Sequence, residues 1–177
     1  MANVIKIKDY RVKSGDTFFF DNNVWMFLFA SIASAKDSKQ KAYSTLLSDI
    51  QTAKASIFVS SLVISEYMNR CLRLSHKQWE KRTNQFGTDY KKDYKITSDF
   101  NEAVKTIKAE IDIILNLCDK TPDNFNAIEL NEIFNKIEAC DFNDAYYVEM
   151  CKLGKYKLVT DDSDILSVPD KIEVITM

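Results

Sequence analysis

Short apolar runs alternate with longer stretches in which apolar residues recur every three or four positions, and the two rhythms divide the chain into strands and helices. The first run, Thr17–Phe20, is brief, β-prone and apolar throughout, follows the turn residues Ser14, Gly15 and Asp16, and ends on Asp21; it predicts a buried strand. A buried helix is expected from Val24 to Ala35, capped by Asn22 or Asn23. A second helix is expected from near Asp37 to Ala53, with Tyr43, Leu46, Leu47 and Ile50 forming its apolar stripe. The β-branched run SIFVSS, residues 56–61, reads as a second strand. Ser60 or Ser61 then caps a helix from Leu62 to about Leu74 that carries Glu66 on one of its two faces. Residues 76–97 are polar, aromatic and broken by Gly87. From Ser98 or Asp99 a clear helix follows, with Val104, Ile107, Ile111, Ile114, Leu115 and Cys118 in helical spacing, stopped at Thr121-Pro122-Asp123-Asn124.

Beyond that stop, AIEL at 127–130 reads as an edge strand or a loop, and NEIFNKIEAC as a short helix. Asp141 or Asn143 caps a further helix from Asp144 to Leu153, with Gly154 as its C′ residue. KLVT, residues 157–160, is a third, central strand and KIEVIT a final one, with a turn at Pro169 between them. This order implies an α/β fold: a three-layer α/β/α sandwich with a central, mainly parallel sheet, formed as one domain over residues 1–177 with a basic, aromatic helical insertion at about 75–100.

Composition narrows the chemistry. The chain has 177 residues, 46% hydrophobic and 28% charged, as expected of a globular domain. Its longest apolar stretch, Val24–Ala35, is shorter than the roughly 20 residues a bilayer helix needs. No basic segment with a cleavage site opens the chain, so a cytoplasmic protein without membrane association is expected. Cys71, Cys118, Cys140 and Cys151 form no C-x-x-C pair and read as reduced, mostly buried thiols. His76 is the only histidine, on what reads as a solvated helix face with no nucleophile motif nearby, which removes Ser-His-Asp and Cys-His catalysis. Glycine occurs only at 15, 87 and 154, so there is no phosphate-cradling loop.

Charge is unevenly placed behind a net −2. Residues 70–95 hold eight Lys or Arg against three acids, interleaved with Trp79, Phe86, Tyr90 and Tyr94, whereas residues 99–177 hold seventeen acids against eight bases. A basic, aromatic stretch beside an acidic one suits a polyanion bridged to carboxylates by cations. The plain alternative is a solvated helix pair with ordinary surface lysines.

The acids recur where a parallel sheet builds its sites, outside the carboxyl ends of strands. Asp21 follows the first strand and Asp161, Asp162 and Asp164 follow KLVT; Glu66 lies about a turn into the helix after the second strand, and Asp144 in the first turn of the helix before KLVT. Each alone has an ordinary explanation as a turn, helix-start or surface acid. Together they would repel one another unless a hard divalent cation, Mg²⁺ or Mn²⁺, relieved the repulsion.

In order and context these residues resemble the PIN domain family of nucleases, among them the VapC-type toxin ribonucleases. The family's strand ending in Asp then Thr or Ser and Asn is matched by FFFDNNV, with Asp21 in place and Asn22 where the hydroxyl residue stands. Its Glu in the helix after strand two is matched by Glu66 in SSLVISEYMNR, and its helical Asp by Asp144 in NDAYYVEMCKLGK. The pattern Leu-Val-Thr-x-Asp-x-Asp-Phe is matched by LVTDDSDI, placing Asp162 in the principal slot and Asp164 in the secondary one, with Ile165 for Phe. The resemblance implies a metal-dependent endoribonuclease with Asp21, Glu66, Asp144 and Asp162 as catalytic acids. Those four with Asp164 would hold Mg²⁺ or Mn²⁺, and RNA would be the substrate.

It also implies a toxin held by a cognate antitoxin protein. Asn22, Lys91, Lys92, Lys95, Tyr90 and Tyr94 are expected to contact RNA, and the apolar side of the Tyr43–Ile50 helix to serve a homodimer. The Asn22 departure motivates a second reading, a degenerate PIN-like domain that binds RNA or a protein without cutting. A receiver-type phosphoacceptor would need its acidic pair after the first strand, and a haloacid-dehalogenase-type phosphatase would need Asp-x-Asp where Asp21-Asn22-Asn23 stands.

Overall fold

A computed structural model describes residues 3–33, 37–168 and 171–177. Six strands, β1 (Asn3–Lys6), β2 (Thr17–Phe20), β3 (Ser56–Val59), β4 (Asp119–Lys120), β5 (Lys157–Val159) and β6 (Glu173–Thr176), form one sheet in the order β1-β6-β5-β2-β3-β4. Every pairing is parallel. The connections carry α1 (Asn22–Phe29), α2 (Asp37–Ala53), α3 (Ser61–Thr83), α4 (Ser98–Leu117), α5 (Leu130–Phe134), α6 (Phe142–Gly154) and α7 (Ser163–Ser167). Phe18, Phe19 and Phe20 are all fully buried, which is why this strand reads as an unbroken apolar run: helices cover both faces of the sheet, as the three-layer α/β/α arrangement requires.

The chain lays β2, β3 and β4 outward in one direction, then returns to place β5 against the other side of β2 and ends with β6 between β5 and β1, the first strand, which forms that edge. The reversal therefore falls between β2 and β5, where Phe20 is registered opposite Val159. Such a switch point opens a crevice beyond the strands' carboxyl ends, because the following connections diverge.

Several boundaries differ from the sequence expectation. β1 lies ahead of the first run, where the pattern marks no strand, and the far edge strand is β4; AIEL takes the loop reading up to Glu129, with Ile128 buried, and Leu130 opens α5. α1 starts at Asn22, with Asp21 rather than Asn22 or Asn23 as its N-cap, and stops at Phe29. It ends there because the buried Glu110 carboxylate accepts from the Ser31 backbone N–H at 2.9 Å and hydroxyl at 2.6 Å, drawing the chain out of the helix. The expected end at Ala35 and the turn at Pro169 lie outside the described residues. α3 runs nine residues past Leu74 to Thr83, because Trp79 gives this polar stretch a buried anchor. A five-residue π-helical turn, Tyr90–Tyr94, packs back on α3, held by the Asp89 carboxylate accepting from the N–H groups of Lys91 and Lys92. α2 spans Asp37–Ala53 as expected, but Tyr43, Leu46 and Ile50 are core residues, which removes the apolar face offered for a homodimer.

Candidate active site

At the switch point Asp21 directly follows β2 and Thr160 directly follows β5. Asp21 donates its backbone N–H to the Val159 carbonyl at 2.9 Å, and its Oδ2 accepts from the Thr160 hydroxyl at 2.8 Å. Only 2% of Asp21 is exposed, and burial, reinforced by the charges of Glu66 and Asp162, pushes its carboxyl up to about 6 against the pull of the Thr160 hydrogen bond. The same Thr160 hydroxyl accepts the Asp162 N–H at 3.0 Å, fixing the turn that carries the second acid. Asp162 caps α7 by accepting from the Asp164 N–H at 2.9 Å and takes a further hydrogen bond from Asn23 Nδ2 at 3.1 Å. Arg70 in turn donates to Asn23 Oδ1 at 2.7 Å, so a cation of α3 orients the amide that orients Asp162.

Glu66 reaches the same edge from the second turn of α3. Three donors converge on it: Tyr147 OH at 2.7 Å and Asn143 Nδ2 at 3.4 Å on Oε2, and Asn22 Nδ2 at 3.1 Å on Oε1. Asp144 stands in the first turn of α6, where the Asp141 cap accepts its N–H at 3.0 Å. Among the described residues nothing donates to its carboxylate. Burial, then the charges of Asp141, Asp21, Asp162 and Glu66, push it up to about 8. All four expected acids therefore share one electrostatic neighbourhood. Asp164 lies at its exposed rim. Asp161 is turned away, ion-paired with Lys39 and accepting from Tyr43 OH at 3.4 Å.

The substrate-contact set divides. Asn22 is fully buried and spends its amide N–H on Glu66, so it positions an acid instead of touching substrate. Tyr94 is also fully buried, its hydroxyl 2.5 Å from that of Ser75, and has no free face for a base. Tyr90 is half-buried, and Lys91, Lys92 and Lys95 are exposed. His76 is not on a solvated face: it stacks on Tyr94 at 5.0 Å, its Nε2 2.7 Å from the Thr88 hydroxyl. The residues that sequence reasoning missed are the holders, Asn23, Arg70, Asn143, Tyr147 and Thr160. Asn23 and Asn143 read as helix caps and Thr160 as a strand residue. Only Thr160 had a local signal, its place inside LVTDDSD.

The donor set consists of carboxylate and amide oxygens, the chemistry that hard divalent ions take, and the buried Asn22 Oδ1 has no hydrogen-bond partner among the described residues. In spacing, no three His, Cys, Asp or Glu side chains among the described residues are gathered closely enough to hold an ion as they stand. The chemistry of the cluster fits such an ion; its present separation is that of mutually repelling acids.

An acid-lined switch point in an all-parallel α/β/α sandwich defines a narrow class of fold and site. The chain belongs to the PIN domain family, whose model matches residues 18–171. Among solved structures it is similar to a chain of VapBC2 from Rickettsia felis, crystallised bound to a DNA fragment from their promoter. The TM-score is 0.56 at 13% identity, covering 91% of this chain and 98% of that one. It is also similar to PAE2754 from Pyrobaculum aerophilum, with a TM-score of 0.47 at 16% identity, covering 92% of this chain and 84% of that one. No curated protein matches the sequence. Among the described residues no helix is long and apolar enough to cross a membrane.

Proposed function

We propose that this protein is a divalent-metal-dependent endoribonuclease that cuts RNA at the four-acid cluster and acts as a toxin restrained by an antitoxin protein. The observation that carries the reading is the convergence of Asp21, Glu66, Asp144 and Asp162 on the switch point, each from a different element. A Mg²⁺ or Mn²⁺ ion bound by these four, with Asp164 at the rim, would supply Lewis-acid polarisation of the scissile phosphate and a lowered water pKa. The chain's own part is to hold the acids in place. Thr160 fixes Asp21, while Asn22, Asn143 and Tyr147 fix Glu66. Asn23, backed by Arg70, fixes Asp162.

Asn22 departs from the family's hydroxyl residue and puts its side-chain amide to use in holding Glu66. Lys91, Lys92 and Lys95 offer cations to RNA from what we read as an insertion at about 75–100. The antitoxin part rests on the fold shared with a chain of VapBC2.

The second reading, a PIN domain that binds without cutting, is favoured by one observation: the acids are not gathered to ion-holding distance among the described residues. Incubating the purified protein with RNA in Mg²⁺, Mn²⁺ or EDTA separates the two. The expected result is cleavage with either ion and none in EDTA, with Asp144→Asn and Asp162→Asn each slower by on the order of 10²-fold or more, as removal of a metal-holding group costs. Binding without cleavage under every ion would establish the second reading. Growth arrest on expressing the wild type but not Asp144→Asn tests the toxin role.

A further inference from the structure

We propose that the RNA strand leaves the acidic site along the exposed face of α3, its phosphates held by Arg70, Arg73 and Lys77 and one base lodged in the cleft walled by His76 and Tyr90. The proposal rests on the ribonuclease reading and adds to it the path of the substrate. Glu66, Asn69, Arg70, Arg73 and Lys77 recur at intervals of three and four, so one face of this helix carries an acid of the site and then a row of cations. From Glu66 to Lys77 the helix rises about 16 Å, enough to follow several phosphates outward from the cut.

Two neighbouring clefts open along this face. One, of about 430 Å³, lies beside the acids and is lined by Glu66, Arg70, Arg73 and Asn143. The other, of about 570 Å³, is lined by Arg73, His76, Lys77, Thr88 and Tyr90. Asn69 and Arg73 line both, so the two clefts are neighbours along this face of the helix. Lys91, Lys92 and Lys95 line neither cleft.

Arg73 and Lys77 differ from the cations that are already spent on carboxylates. Lys39, Arg82, Lys105, Lys108 and Lys157 are each paired with a carboxylate. Arg73 and Lys77 are exposed and make no ion pair or side-chain hydrogen bond among the described residues, so their charge is available to an anion. Arg70 is already committed to Asn23 and acts at the mouth of the site.

The far cleft is built like a base-binding platform. The His76 ring is stacked on Tyr94 and meets Tyr90 edge-on, with ring centres 5.0 and 5.6 Å apart. Tyr90 is itself braced by Tyr94 and Phe100. The opposite lip is tied down by Glu80, which accepts from the Thr88 N–H at 2.9 Å and hydroxyl at 2.8 Å. Aromatic rings already immobilised in the fold offer a stacking surface with little ordering left to lose on binding.

The test is binding of a fluorescein-labelled single-stranded RNA oligonucleotide in EDTA, across a series of salt concentrations. The double variant Arg73→Ala, Lys77→Ala changes only exposed helix positions and should fold. It is expected to bind on the order of 100-fold more weakly at low salt, about tenfold for each of the two cations withdrawn from a phosphate. Its plot of log affinity against log salt should be shallower by about 1.4, about 0.7 for each phosphate released on a single strand. Tyr90→Ala should bind roughly five- to hundredfold more weakly with the salt slope unchanged, because stacking releases no counterions. Tyr90→Phe should bind as wild type, which separates removal of the ring from damage to the fold. If the double variant keeps wild-type affinity and slope while wild type binds and cuts RNA, the path along α3 is wrong and the nuclease reading stands. If the Arg73, Lys77 double variant binds as wild type while Lys91→Ala, Lys92→Ala and Lys95→Ala together weaken binding, the strand exits over the π-helical turn and the proposal fails. Failure of wild type to bind or cut any RNA would remove the path and the ribonuclease reading together.

Discussion

Asp144 is the acid whose protonation is most sensitive to the cluster around it. Its carboxyl is pushed up to about 8, by burial first and by Asp141, Asp21, Asp162 and Glu66 next, from an ordinary value near 3.8. A carboxyl raised on folding binds a proton in the folded state that the unfolded state has already released. Between about pH 4 and 8, therefore, folding stability falls as pH rises, and the cost is complete above the folded value. Asp21, raised to about 6, adds a loss confined to the lower part of that window. In EDTA, Asp144→Asn should melt with wild type near pH 4 and above it at pH 8, by roughly 2–4 °C if the relieved repulsion is worth about 1 kcal/mol at this chain length. Partial exposure of Asp144 to solvent screens the repulsion and keeps the shift small. Thermal melts at the two pH values check this; a wild-type advantage at pH 8 would mean that Asp144 is held by attraction instead of strained by repulsion.

The end of α6 shows how one element sets the position of the next. The sequence suggests Gly154 as the left-handed residue closing this helix, but Gly154 is its last helical residue and Lys155 takes the left-handed conformation at φ 54°. Gly154 is required for a different reason: a Cβ there would lie 2.2 Å from the Tyr156 ring. That ring stacks on Phe58 of β3 at 4.8 Å and on Phe19 of β2 at 6.3 Å. It cannot yield without disturbing two strands of the sheet, one of them β2, which leads into Asp21. Gly154→Ala should therefore destabilise by about 1–3 kcal/mol, as overpacking does. Lys155→Gly should be neutral or stabilising by up to about 1 kcal/mol, since it relieves a side chain from the left-handed region. Denaturant unfolding of both variants decides whether packing or backbone conformation governs this corner.

Across the whole molecule, the topology gathers acids that lie far apart in the chain. Asp21 and Thr160 become neighbours because β5 returns to the free side of β2, and α3 and α6 then bring Glu66 and Asp144 over the same crevice. A ligand that binds only this folded arrangement must stabilise it. At a free concentration about 100 times its Kd, a divalent cation would add about 2.7 kcal/mol, or roughly 5–11 °C for a chain of this size. Asp144→Asn and Asp162→Asn should show a clearly smaller rise with Mg²⁺ or Mn²⁺. Equal rises in all three proteins would place the ion elsewhere than at this cluster.

Local pattern was sufficient for the parts of the protein that local forces decide. Short apolar runs marked β2, β3, β5 and β6, since a strand covered on both faces keeps its polar residues to its ends. The stripe of α2 was equally plain, Asp141 was one of the two caps offered for α6, and FFFDNN and LVTDDSD marked the acids beside β2 and β5. β1 and the two-residue β4 escaped because edge strands this short carry no periodicity, and their pairing partners lie far away in the chain. Tertiary structure alone decided that Asp161, next to Asp162, turns away to pair with Lys39. It decided too that Tyr94 is buried while Tyr90 keeps an edge, and that Asn22 serves Glu66. Each of these depends on what another segment places within hydrogen-bonding or packing distance, and a side chain's surroundings, unlike its spacing along the chain, are not a local property.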